Sequence, residues 1–504
     1  MTLPTHRDNY GSLLAWVLLV GFFAVCLRVP LSHTDLWGHL VYGRYYSEEG
    51  RFPPAEPFLK LSHDEPFVTH SWLTQWLGFR IHHAAGPFGL QMSYAILCTI
   101  LFASIYWLTV RETGEPLIGF AAMLLFGSLE YQQLILIRPQ LAGMVCFCLL
   151  LHVLRARDSG TRRNGKLCLM AGILILVWAN LHGSFVLGPV TIGMIGAGEF
   201  LDRLRKQNSE TSRSLKPVVL DTAVLLAIAL LAGLINPYGL ALYREVVTFS
   251  SSPNLYNLIE WKPLWSTPKQ GTVFVVATIL GIVTVKFSKQ TLRWRDWLPV
   301  LVLAVMTVKT SRYIVWFAPL YVVALAPHLN SLLEGAVSRS ARFRKFSGFF
   351  HRETSAGRPL ILLMITVALF ADSFFRSSPY SFQTPIDATE ILLEVPEQVL
   401  ILNTMEWGDW MIWRSRAALP VFVNSHVTYI PPEVWQDYMT LIKLKPGWEA
   451  VLEKYPFSAA VLQNGRQRRL IRIFEENPAW TKIYRDEIAV IFLLTGDEGT
   501  SRDR

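Results

Sequence analysis

Charge is scarce in this chain. Only 17% of its 504 residues are Asp, Glu, Lys or Arg, where a soluble protein carries about a quarter. With 52% hydrophobic residues, that shortage excludes an ordinary soluble protein and predicts a polytopic membrane protein. Cysteine is scarce as well. Cys26, Cys98, Cys146, Cys148 and Cys168 all lie in or beside apolar runs, which speaks against a disulfide framework or a zinc site. The sequence holds no Asn-x-Ser/Thr acceptor, no repeat of fixed period and no low-complexity tract. No small-x-small cleavage site follows "GSLLAWVLLVGFFAVCLRV", which is long enough to span and reads as an uncleaved first helix. The net charge of +9 does not predict a nucleic-acid partner, because the basic residues fall in short loops between apolar runs.

Long apolar runs and aromatics are plentiful. The 17 Trp and 29 Phe suit a membrane interface. Candidate spans lie near residues 11–29, 88–110, 116–136, 139–155, 167–180, 184–201, 218–235, 271–286, 297–310, 312–329 and 359–375, about eleven transmembrane helices. Four connections that should share one side, "RARDSGTRRNGK", "DRLRKQNSETSRSLK", "KFSKQTLRWRD" and "SRSARFRKFSGFFHRE", are rich in Lys and Arg; the alternate ones are not. By the positive-inside rule the N-terminus is cytoplasmic, and residues 30–87 and everything after residue 376 are extracytoplasmic. The expected architecture is an α-helical bundle, residues 1–375, whose first outer loop 30–87 carries interfacial helices, followed by a small extracytoplasmic α/β domain, residues 376–504. In that domain "EQVLILN", "LPVFVNS", "SAAVLQN" and "EIAVIFLL" read as strands, interleaved with helical patterns. The basic loop 335–356 and the tail after Thr495 are candidate flexible segments.

Polar residues gather on the expected outer connections: Asp35, His39 and His70, then Arg138 and Gln140, Asn180 and His182, Asn236 and Tyr238, Glu260 and Trp261, and Lys309, Arg312 and Tyr313. Ionisable groups at membrane depth are costly, and their default explanation is function. An outward-opening cleft would collect them. Two readings of Asp35 stand together: N-cap of the helix that starts at Leu36, and general base partly buried against Trp37. Arg138, Lys309 and Arg312 either mark helix ends or bind phosphate, for which the planar guanidinium is the better fit. His33 and His39 are six apart, the wrong spacing for helical zinc ligation. Asn180 with His182, and Asn236 with Tyr238, sit in turns that need polar residues anyway. Asn403 and Glu406 have capping-box spacing.

The stretch "DLWGHLVYGRYYSEEGRFPPAEPF" after a first span resembles a bacterial membrane-protein group reading Asp-Leu-Trp-Trp-His-Leu there, within the GT-C class of integral-membrane glycosyltransferases. "RPQLAGMVCF", "WANLHGSFVLG", "LINPYGLALY", "EWGDWMIW" and "PGWEAVLEKY" are further landmarks, so the resemblance spans most of the chain. It implies transfer of a sugar from a polyprenyl-phosphate donor to a glycan, lipid or protein acceptor at the outer face of a bacterial inner membrane. Asp35 would be the catalytic acid residue of the first loop, acting as base or in association with a divalent metal. Substrate contacts would come from His39, Arg138, Asn180, His182, Lys309, Arg312 and Tyr313. Many GT-C enzymes carry two nearby acids in this loop; here the neighbours of Asp35 are His33, Thr34 and Leu36, which leaves metal use open. A non-catalytic scaffold and a lipid or solute carrier are the alternatives. The carrier would need ionisable residues in mid-span and an inverted repeat.

Overall fold

The structure, a computed structural model, describes residues 10–62, 66–156, 165–206, 215–352, 366 and 378–495. It is mostly helical and divides into two compact units. One holds Met1–Val29, Phe88–Val246 and Asn257–Ser377; the other holds Pro30–Pro87, Val247–Tyr256 and Ser378–Arg504.

Helices occupy ten of the segments marked as spans: α1 (Tyr10–Leu27), α3 (Trp72–Thr113), α4 (Pro116–Leu134), α5 (Gln140–Ala156), α6 (Gly165–Leu181), α7 (Leu187–Lys206), α8 (Lys216–Ala232), α10 (Pro268–Phe287), α11 (Trp294–Lys309) and α12 (Ile314–Arg339). The remaining helices up to residue 350 are α2 (Leu36–Glu49), α9 (Leu240–Phe249) and α13 (Ala341–Phe350). The eleventh marked span, near 359–375, lies outside the described residues apart from residue 366, as does the tail beyond Thr495. Among the described residues five helical segments are long and apolar enough to cross a membrane, and α5 and α6 are shorter apolar helices. The chain is a multi-pass membrane protein. Part of the basic loop 335–356 is helical: α12 runs to Arg339, and α13 begins at Ala341 after an extended Ser340.

The helical unit has an aromatic centre. Phe147 stacks edge-on to Trp316 at 5.4 Å, and Trp178 lies 6.1 Å from both rings. Lipid tails are as apolar as these side chains, so close packing and polar ties must hold such a bundle together. One tie is an ion network centred on buried Arg155 and Asp296. Arg155 of α5 reaches Asp296 at 2.7 Å and Glu112 of α3 at 3.3 Å. Arg293 reaches the same two acids at 2.6 and 3.6 Å. Beside it Asp202 of α7 accepts from the Trp294 and Arg295 backbone N–H groups at 2.8 and 3.0 Å. An acid from a neighbouring helix thereby satisfies two orphan donors at the N-terminus of α11 and complements its dipole.

The second unit is built on a four-stranded sheet in the order β1-β2-β4-β3, with β1 (Ile401–Asn403), β2 (Ala459–Gln463), β3 (Trp480–Arg485) and β4 (Ala489–Leu494). β1 and β2 run parallel, with Ile401 beside Ala459, and the other pairs are antiparallel. The expected strand at 419–425 contributes only a bridge at Val421. The Phe422 N–H still reaches the Ile401 carbonyl at 2.9 Å, but Asn403 Oδ1 takes the Val423 N–H at 3.3 Å, so the ladder ends there. For the same reason no capping box forms. Asn403 Nδ2 donates to the Thr404 and Val423 carbonyls, and Glu406 pairs with Arg466 at 2.8 Å. The edge strand β3 was not foreseen: its buried Trp480 is followed by mostly exposed residues, and its lysine and arginine dilute the apolar alternation.

α2 packs into this unit's core. Trp37 is 0% exposed. Its indole donates to the Ser32 carbonyl at 2.7 Å, and its ring meets Trp410 at 4.8 Å and Tyr380 at 5.8 Å. Trp410 belongs to "EWGDW", in the helix Met405–Arg414, so that motif seats the first-loop helix on the C-terminal segment. α3 starts in this unit at Trp72 and is interrupted at Gly86, whose φ of +60° favours glycine, directly before Pro87.

Candidate functional site

Asp35 stands at the N-cap position of α2, yet its carboxylate caps no first-turn N–H; it accepts from Thr34 Oγ1 at 3.1 Å. The backbone nevertheless turns where a cap is expected, with the His39 N–H donating to the Asp35 carbonyl at 3.0 Å. One turn on, Gly38 stands where the resembled group has a second Trp. A Cβ there would lie 2.3 Å from Asp409 Oδ1 and 2.5 Å from the His426 ring. The missing side chain lets the C-terminal segment close on α2.

His39 follows. Its Nδ1 accepts from Gln75 Nε2 at 3.1 Å, while Gln75 Oε1 accepts from the Tyr46 and Thr69 hydroxyls at 2.9 and 3.0 Å. The His39 ring meets His426 at 4.9 Å, and Tyr42 meets His426 at the same distance. Tyr42 donates to Glu56 Oε2 at 2.6 Å, and the Phe58 N–H donates to Oε1 at 3.0 Å. The His426 Nδ1 lies 3.5 Å from Asp409 Oδ1. Burial alone would pull His426 down, but Asp409, with Asp35 and Glu56 behind it, outweighs burial and holds it above its usual value. Burial pushes Glu56 up, against the opposing hydrogen bonds from Tyr42 and Phe58. Asp409, His426, Glu56 and Gln75 carry no sequence signature. Each is set by tertiary neighbours; the one clue was a glycine where the group has tryptophan. Among the described residues no three His, Cys, Asp or Glu side chains converge as metal ligands.

In the helical unit a second cluster forms where α5 begins and α11 ends. Arg138 Nη1 donates to Glu260 Oε2 at 2.6 Å, and Arg312 Nη1 donates to Glu260 Oε1 at 2.7 Å. Arg312 also lies over Trp261 at 5.2 Å. Fully buried Ser311 locks the two loops together: its N–H donates to the Lys262 carbonyl and its hydroxyl to that of Glu260, both at 3.0 Å. One carboxylate thus gathers two guanidinium groups. All three side chains are about a fifth exposed. Tyr313 is partly buried next in the chain, and Lys309 is exposed at the end of α11, with no ion-pair partner among the described residues.

Asn180 and His182 serve the turn between α6 and α7. Asn180 Nδ2 donates to the Leu176 and Ile235 carbonyls, both at 2.8 Å. His182 Nδ1 accepts from the Ser184 N–H at 3.1 Å and lies 2.7 Å from its hydroxyl. Asn236 Oδ1 likewise accepts from the Tyr238 N–H at 2.8 Å. Within the second unit Asp35 and His39 stand at the start of α2; within the helical unit Arg138 and Arg312 meet on Glu260, and Asn180 and His182 hold one turn.

No protein-family model matches the chain, and no curated protein matches it by sequence. Solved structures do match. The Archaeoglobus fulgidus oligosaccharyltransferase tethered with an acceptor peptide has a TM-score of 0.58 at 14% identity, over 96% of this chain and 74% of that one. The archaeal oligosaccharyltransferase AglB from the same organism, in complex with an inhibitory peptide and a dolichol-phosphate, gives 0.57 at 14% identity, over 90% and 69%. ArnT from Cupriavidus metallidurans bound to undecaprenyl phosphate gives 0.52 at 12% identity, over 96% and 98%. The chain has the GT-C fold of these membrane glycosyltransferases, with a small C-terminal sheet.

Proposed function

We propose that the chain is an inner-membrane glycosyltransferase that moves a sugar from a polyprenyl-phosphate donor to an acceptor at the extracytoplasmic face. The observation that carries this reading is the pair Arg138 and Arg312, gathered on the single carboxylate of Glu260 in a fold whose solved examples include complexes with dolichol-phosphate and undecaprenyl phosphate. A phosphate presents the same kind of oxygens as Glu260, and two planar guanidinium groups already brought to one carboxylate have the donor geometry to hold it.

In the proposed reaction an acceptor hydroxyl oxygen attacks the anomeric carbon. The bond from that carbon to the phosphate oxygen breaks, and the polyprenyl phosphate leaves with the electron pair. The hydroxyl proton passes to a carboxylate oxygen of Asp35. Arg138 and Arg312 stabilise the charge that builds on the leaving phosphate, and Lys309 adds a further cation. His39, one turn beyond Asp35, is assigned to the acceptor. No step requires a metal.

The lack of a second acid beside Asp35 favours a second reading, a scaffold without chemistry. The two are separated by offering purified protein a panel of polyprenyl-phosphate-linked sugars and following sugar release. The transferase reading expects turnover that Asp35→Asn lowers by about a hundredfold or more. Turnover unchanged by Asp35→Asn would remove the base role, and no turnover with any donor would favour the scaffold.

A further inference from the structure

α13 presents two chemistries that no other part of the protein has been given a use for. It follows α12 after Ser340 and is fixed to the end of the bundle where α1 and α4 begin. The Tyr10 N–H donates to the Arg352 carbonyl at 3.0 Å, and the Tyr10 and Phe349 rings lie 4.6 Å apart. Buried Phe350 packs towards Phe120 at 6.1 Å. Glu115, just before α4, accepts from Ser347 at 3.4 Å and lies 3.1 Å from His351 Nε2. The helix is therefore level with the termini of two membrane-type helices.

Only Ser347 and Phe350 of α13 are buried. Phe343, Phe346 and Phe349 are 49%, 55% and 44% exposed and flank the attached seam at helical spacing. Arg339, Arg342, Arg344 and Lys345 are exposed, and none has an ion-pair partner among the described residues. Other arginines of the same unit are treated differently: Arg155, Arg293 and Arg295 are each paired with an acid. Segment 338–350 contains no acid at all. Three open phenylalanines beside four unneutralised cations are unfavourable in water alone. They suit a surface that offers hydrocarbon and negative charge a few ångströms apart.

We propose that α13 lies in the plane of the membrane surface, with Phe343, Phe346 and Phe349 in the acyl-chain boundary and Arg339, Arg342, Arg344 and Lys345 holding anionic phospholipid headgroups. This stands independently of the transferase reading. It gives the basic connection after α12 a binding role in addition to its bias on topology.

Two measurements on the full-length protein test it. A spin label on Phe346→Cys, in a Cys168→Ser background, is placed in bilayers containing phosphatidylglycerol. Relaxation stronger with oxygen than with a water-soluble nickel complex is expected; stronger relaxation by nickel would overturn insertion. Native mass spectrometry then compares retention of phosphatidylglycerol and phosphatidylcholine by wild type and by the Arg342→Gln/Arg344→Gln/Lys345→Gln variant. Wild type should prefer phosphatidylglycerol. At about fivefold per cation, the variant should lose roughly a hundredfold of that preference, while keeping its melting temperature because these side chains are exposed. Equal retention of the two lipids by wild type, or an undiminished preference in the variant, would overturn the headgroup role.

Discussion

Two sets of arginines stand at opposite ends of α5 and α11, about 24 Å apart along each helix, and their centres are buried to different depths. At one end Arg155 and Arg293 share Glu112 and Asp296; Arg155 and Asp296 are 8% and 3% exposed, while Glu112 and Arg293 at the rim are 21% and 46% exposed. At the other end the carboxylate of Glu260 bridges Arg138 and Arg312, and all three side chains are about a fifth exposed. A pair buried as deeply as Arg155 and Asp296 is closed to a ligand, so its work is to fix helices. A part-open pair of guanidinium groups keeps donors within a ligand's reach. Ion pairing by itself therefore does not distinguish structure from function in this bundle; access at the centre of each group does.

Substitutions can break or sharpen that contrast. The largest effect is expected at the enclosed end. Arg155→Leu leaves Asp296 buried with half its compensation, at a cost of roughly 3 kcal/mol or more. A large drop in melting temperature should follow, with ligand response unchanged in whatever protein remains folded. At the part-open end Arg312→Gln should leave melting nearly unchanged and lower sugar transfer by about a hundredfold to a thousandfold; equal losses of stability at the two ends would erase the distinction.

A smaller effect is expected at His426. Its raised value means that its stabilising charge is fully present below the ordinary histidine value near 6.5 and is lost as pH rises through the folded value. His426→Gln should therefore destabilise more at pH 6 than at pH 8.5 in parallel denaturant titrations. The smallest effect is expected at Glu260. Glu260→Gln removes the competing carboxylate and should tighten inorganic phosphate binding severalfold. Weaker binding would mean that Glu260 organises the arginines more than it occupies them.

Much of the architecture was legible in the sequence because membrane helices announce themselves locally. Runs such as 116–136 and 139–155 are continuous, and the polar break at His182 ends α6 where its ring accepts the Ser184 N–H. The strands at Ala459–Gln463 and Ala489–Leu494 were visible as apolar runs; Trp480–Arg485 was hidden because an edge strand needs only one buried face. The candidate site was half legible. Asp35, Arg138 and Arg312 stood out as ionisable residues beside apolar helices. Glu260 was noticed as polar, yet nothing local marks it as the acid that joins two arginines far away in the chain. Asp409 and His426 were invisible, because nothing in their local sequence marks them. Only folding brings them against Gly38.

The most direct test of the part-open cluster is saturable binding of undecaprenyl phosphate to the purified protein, wild type against Arg138→Gln/Arg312→Gln. The account predicts binding by wild type and its loss in the double variant, with the melting temperature preserved. Equal binding by both proteins would contradict it.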